Sequence, residues 1–94
     1  ANILFEADNG TADVDDKDTT IDWAANTWIT VRIDARNPAD VKLYINEVAR
    51  TPAGFTFAMP TSGNVQFLAE LQKAAATNAD HRITFDYVEI DAAR

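Results

Sequence analysis

The chain has 94 residues, 47% of them apolar, and a formal net charge of −7 from 15 acidic against 8 basic side chains. That length suits one small domain, and the acidic balance argues against nucleic-acid phosphates and anionic membrane surfaces, which need clustered Lys and Arg. No apolar run approaches the roughly 20 residues that span a bilayer, the opening residues do not read as a signal peptide, and the lack of cysteine removes disulfides, thiolate catalysis and zinc–cysteine sites.

The first residue is Ala1 and not Met. Two expectations follow: methionine removal, which a small second residue permits, or a fragment or cleavage product of a longer chain.

In chain order, residues 3–7 form a short apolar stretch suited to a first or edge strand. Residues 8–22 are acidic, with Asp8, Asp13, Asp15, Asp16, Asp18 and Asp22 among Thr, Gly and Asn, and are predicted to be a surface loop. From Thr27 the pattern changes. Ile29, Val31 and Ile33 alternate with Thr30, Arg32 and Asp34, the period-2 signature of a half-buried strand. Residues 37–40 (Asn-Pro-Ala-Asp) read as a turn. Val41, Leu43 and Ile45 then alternate with Lys42, Tyr44 and Asn46, predicting a second strand antiparallel to the first. Asn46-Glu47 is a tight-turn candidate because Asn tolerates positive φ, and residues 48–51 return as a short third strand.

Pro52, Ala53 and Gly54 break that strand, and residues 55–59 alternate again. Val65, Phe67, Ala69 and Leu71 share one face and predict a strand. A helix competes over residues 68–77, where Leu, Glu, Gln, Lys and three alanines are good helix formers; the flanking strands favour the strand. Residues 82–91 carry the strongest strand signal: Ile83, Phe85 and Tyr87 on one face, Val88 and Ile90 on the other. Five to seven short strands with frequent turns predict an all-β chain, an antiparallel β-sandwich or jelly roll that is small or partial. It reads as a single domain over 1–94, with an acidic N-terminal segment at 1–26 and the main strands at 27–92.

Three segments carry a family likeness: NTWITVRI at 26–33, VKLYINEV at 41–48 and ITFDYVEI at 83–90. Together they resemble the concanavalin A-like lectin/glucanase (laminin-G-like) jelly rolls, over roughly residues 18–92. The resemblance implies a jelly-roll fold and a range of roles from lectin and glycosidase to adhesive module and phage virion protein, since fold does not fix function. Complete domains of that family are about twice as long, so the resemblance implies a C-terminal half or a trimmed version. Glu47 stands where the family's hairpin commonly has Gly.

Candidate chemistry is sparse. Glu89 and Asp91 share a strand face and echo the paired carboxylates of the family's glucanases, but a further acidic partner is absent and a solvated strand end explains them better. Asp8, Asp13, Asp15, Asp16 and Asp18, beside Asn9, offer the oxygen ligands calcium takes, against the plainer reading of a solvated acidic loop. Ser62 and His81 are the sole members of their types and lack nucleophile context. Three isolated glycines cannot build a phosphate loop. Trp23 and Tyr44 are the ligand or interface candidates, because aromatic faces suit sugar rings, whereas Trp28 at a strand start is predicted to be core. Asn9-Gly10-Thr11 matches a glycosylation sequon.

The expected function is a non-enzymatic structural or adhesion module, as in a virion decoration or fibre protein on a virion or extracellular surface. It would act through protein–protein contacts as a homo-oligomer or in a larger assembly. The alternative is a carbohydrate-binding module, calcium-assisted or not. No other cofactor is expected.

Overall fold

A computed structural model describes residues 2–63 and 84–91. The chain divides into two compact units, residues 1–63 and 64–94. The first unit holds five strands: β1 (Asn2–Asp8), β2 (Asp13–Asp22), β3 (Val31–Asp34), β4 (Lys42–Ile45) and β5 (Val48–Ala49). They form two antiparallel sheets, a β1–β2 ribbon and a three-stranded β3–β4–β5 meander. The described residues contain no helix, so the all-β expectation holds.

The two sheets of this unit share one small core. Leu43 and Ile45 of β4, Val41 just before it, Phe5 of β1 and Phe57 are buried, and Ile3, Ala7, Val14 and Ile21 of the ribbon pack against them. Phe57 is fully buried, and burying a side chain of that size stabilises by about 1.5–3 kcal/mol.

The β3–β4 pairing follows the predicted alternation, with Val31 opposite Ile45 and Ile33 opposite Leu43. The expected turns are present too. Asp40 N donates to Asn37 O at 3.0 Å and Ala39 N donates to Asn37 Oδ1 at 3.2 Å. Asn46 and Glu47 adopt φ of 51° and 64°, which matches the right-handed twist of a two-residue hairpin.

Four expectations are corrected. Residues 13–22, read as loop, are strand β2. A two-stranded ribbon needs only one apolar face, and Val14, Thr19 and Ile21 supply it while the carboxylates stay outside. The alternation is hidden because the register slips between Asn2 and Leu4 and again between Phe5 and Ala7. Residues with positive φ, Thr20 and Asp16, sit where β2 carries the extra residues, as β-bulges do. Thr19 is buried with its hydroxyl donating to Ile3 O at 2.7 Å.

Trp28, expected in the core, is 69% exposed: β3 begins only at Val31, and Trp28 lies in the non-strand stretch before it. The apolar face of β3 is likewise open: Val31 is 50% and Ile33 59% exposed. The ribbon covers β4 and stops short of its neighbour.

Residues 55–59 form no strand. Phe57 O instead accepts from Val41 N at 2.7 Å, and Met59 N donates to Pro38 O at 2.8 Å, isolated bonds that do not add up to a ladder. The described part of the predicted last strand, residues 84–91, is not in a ladder either, and Phe85, Tyr87, Val88 and Ile90 are exposed. Period-2 apolarity alone does not make a ladder. The expected strand at 65–71, the competing helix at 68–77 and His81 lie outside the described residues.

Candidate functional site

The carboxylates proposed as calcium ligands lie on one ribbon, where Asp8 and Asp15 stand close to Asp13 while Asp18 is engaged by other partners. Asp8 closes β1 opposite Asp13, and its Oδ1 accepts from Gly10 N at 2.7 Å. Asp13 and Asp15 share a strand face, and Asp13 is held above the usual carboxylate range first by a hydrogen bond with Asp15, then by burial and by the negative charges of Asp15, Asp8 and Glu6. Asp16 occupies a left-handed conformation at φ 46°. Asp18 is engaged elsewhere: both of its oxygens accept from Asn2 Nδ2 at 3.0 Å and Oδ1 accepts from Thr20 N at 2.7 Å. Those donors hold it below the usual range, Asn2 before Thr20. Among the described residues, no group of three or more His, Asp or Glu side chains is placed to share one metal ion.

The aromatic candidates differ. Tyr44 projects from the outer face of β4, and the Arg32 guanidinium lies 4.0 Å from its ring centroid, a cation–π stack. That guanidinium also meets Glu47 Oε2 at 3.1 Å and stands 4.0 Å from Asp34 Oδ2. One face of Tyr44 is therefore already occupied. Trp23 is 43% exposed, and its indole N–H donates to Thr27 O at 3.1 Å, which fixes the ring while leaving much of it in solvent. Trp28, two residues beyond Asn26 with its left-handed φ of 59°, presents a second exposed indole.

Two open grooves carry mixed charge. One, about 500 Å³, is lined by Asp16, Lys17, Thr20, Arg50, Thr51 and Phe55, with Lys17 Nζ 4.6 Å from the Phe55 ring centroid. The other, about 250 Å³, is lined by Asp34, Arg36, Asn37, Asp40 and Lys42. Here Arg36 Nη2 contacts Asp34 Oδ2 at 2.6 Å, and Arg36 chiefly, with Arg32 adding its charge, lowers the Asp34 carboxyl to about 2. In this second groove the acids and bases pair with one another, Lys42 Nζ meeting Asp40 Oδ1 at 2.9 Å.

The feature that the pattern of the sequence does not disclose is the open face of the three-stranded sheet. Val31, Ile33 and Val48 stand beside buried Ile45 and Leu43 in the ladder, so they belong to the same face, yet each is about half exposed or more. Alternation identifies that face; it carries no signal about how far the covering ribbon reaches.

Comparison with protein-family models, with curated proteins and with solved structures finds no match.

Proposed function

We propose that this chain is a non-enzymatic structural or adhesion module that works through protein–protein contacts. The observation that carries this reading is the apolar face of the β3–β4–β5 sheet, where Val31, Ile33 and Val48 continue the core outward into solvent. Exposed apolar residues that are contiguous, and not scattered, favour an interaction surface, and the outer edge of β3, unpaired among the described residues, adds backbone groups for pairing. The narrower version, a virion-surface decoration or fibre component with jelly-roll ancestry, draws its support from the resemblance of residues 26–33, 41–48 and 83–90 to the concanavalin A-like fold. Sedimentation velocity over a concentration series tests the reading. Mass rising with concentration is the expected result, and a folded chain that stays monomeric up to its solubility limit removes it.

A second reading, a carbohydrate-binding module, is favoured by Trp23, whose ring is both exposed and fixed through its N–H. Rigid exposed aromatics suit the apolar faces of sugars. A glycan array probed with the chain and with Trp23→Ala, with and without a chelator, tests it; binding unaffected by the substitution, or no binding at all, rejects the role of Trp23.

A further inference from the structure

We infer that the outer edge of β3, which pairs with no strand among the described residues, is a homotypic contact at which two copies pair antiparallel about a dyad on Ile33, so that Arg32 of each copy stands opposite Asp34 of the other. The inference rests on the assembly reading above and names its partner, a second copy, and its register.

The backbone fixes which residues can pair. In an antiparallel ladder, residues alternate between pairs that exchange both backbone hydrogen bonds and pairs that exchange none. Asn46 N donates to Thr30 O at 2.8 Å, so along the β3–β4 register Arg32–Tyr44 and Asp34–Lys42 are the bonded pairs. Leu43 confirms the phase from the other side: its carbonyl accepts from Arg50 N and its amide donates to Thr51 Oγ1, both at 2.8 Å and away from β3. The amides and carbonyls of Val31 and Ile33 therefore point to the open edge. A partner strand must meet those groups with its own outward-facing residues, which makes every register with an odd–even pairing unable to form a ladder.

Charge then selects among the remaining registers. A dyad on Arg32 sets two guanidiniums opposite each other, and a dyad on Asp34 sets two carboxylates opposite each other, both unfavourable. A dyad on Val31 pairs Arg32 with Thr30 and adds no opposite charge across the contact. The dyad on Ile33 pairs Ile33 with itself, Val31 with Ala35, and Arg32 with Asp34 twice by symmetry. It also keeps the exposed Val31 and Ile33 on one continuous apolar face, joining two three-stranded sheets into a six-stranded one. The charges on this edge all lie on the outer face, with Tyr44 and Lys42, so they do not guard the apolar side against pairing. Few residues meet per strand, which places the contact in the small, transient size class, and the net charge of −7 on each copy opposes it. It is therefore read at high protein concentration and moderate salt.

The test uses Arg32→Asp and Asp34→Arg as separate single variants, with folding followed by circular dichroism and association by sedimentation velocity. Each variant alone places like charges across the dyad, so its self-association falls by at least about tenfold relative to the unsubstituted chain. An equimolar mixture of the two restores opposite charges at both positions and recovers the dimer, which a general folding defect cannot do. Ile33→Asp, at a residue 59% exposed, disturbs the dyad without removing a buried group and also weakens association. If the unsubstituted chain associates but these variants leave it unchanged, or the mixture fails to recover it, the β3 register is wrong and the assembly reading survives. If the unsubstituted chain is monomeric throughout, both fall.

Discussion

The rings of Phe5 and Phe57 meet with centroids 4.4 Å apart at an interplanar angle of 36°, and this contact joins the β1–β2 ribbon to the core beside β4. Phe5 arrives from the first strand and Phe57 from a segment without ladder bonds, so side-chain packing, not a shared sheet, fastens the ribbon here. Phe57→Ala is expected to cost about 3–5 kcal/mol, a large share of what a domain of this size can spare. The single variant is measured by urea denaturation. A cost below about 1 kcal/mol would mean that the ring is not a core element. Where both single variants remain folded, a Phe5/Phe57 double-mutant cycle should return a coupling of about 0.5–1.5 kcal/mol.

Asp34 gives the acid limb of stability. Its carboxyl sits at about 2, held there chiefly by Arg36, against about 3.9 in an unfolded chain. A group depressed in the folded state contributes stability that is present above the unfolded value and lost as pH falls through the folded one. The loss from Asp34 therefore falls between about pH 4 and pH 2, and Asp18, lowered by Asn2 and Thr20, acts with the same sign. Asp34→Asn is expected to flatten the melting temperature over that window. A wild-type slope that survives in the variant assigns the acid sensitivity to other groups.

Asp13 works in the opposite direction. Its carboxyl is raised, first by the hydrogen bond with Asp15, and a raised group contributes stability that is complete below its unfolded pKa and lost as pH rises through the folded one. At neutral pH the crowd of Glu6, Asp8, Asp13 and Asp15 is under mutual repulsion. Asp13→Asn is expected to raise the melting temperature at pH 7 and to have little effect near pH 3. Added salt should narrow the difference between variant and wild type, since these groups are exposed and screened. A variant that is less stable than wild type at pH 7 would show that Asp13 has a favourable partner, calcium among the candidates, and a calcium-dependent shift of the wild type alone would identify it.

The β3–β4–β5 meander was legible in the residues themselves, because Val41, Leu43 and Ile45 alternate without interruption and Asn46 marks the turn. The ribbon was not, for a physical reason. Three extra residues in β2 relative to β1 shift the side-chain faces, so Asp16 and Thr20 break a period of two that the hydrogen bonds nevertheless sustain. At the candidate site, the aromatic character of Tyr44 was visible but its occupation by Arg32 was not, since the two become neighbours only through the cross-strand register. The exposure of Trp28 and Ile33 depends on how far a separate ribbon extends, a property of tertiary placement that no local pattern encodes.

A bulge residue of β2 and a hairpin-turn residue hold conformations that suit glycine better than themselves. Thr20 has φ 62° and Glu47 φ 64°, and the left-handed region costs a non-glycine residue about 1–2 kcal/mol, most severely when it is β-branched. Replacing either with glycine relieves that cost but gives the unfolded chain more freedom, an offset of about 0.4–1 kcal/mol. Glu47→Gly also gives up the Arg32 pair, which, between exposed side chains, is worth no more than about 1 kcal/mol. Thr20→Gly has no such loss to offset, because Thr20 is held through its backbone N–H to Asp18, which glycine keeps. Thr20→Gly is therefore expected to stabilise by about 1 kcal/mol, raising the melting temperature by about 4–8 °C in a domain of this size, while Glu47→Gly leaves it within about 2 °C of wild type. Differential scanning calorimetry at pH 7 reads both. A Thr20→Gly variant that melts lower than wild type would place Thr20 outside the left-handed region in solution and remove the bulge assigned there.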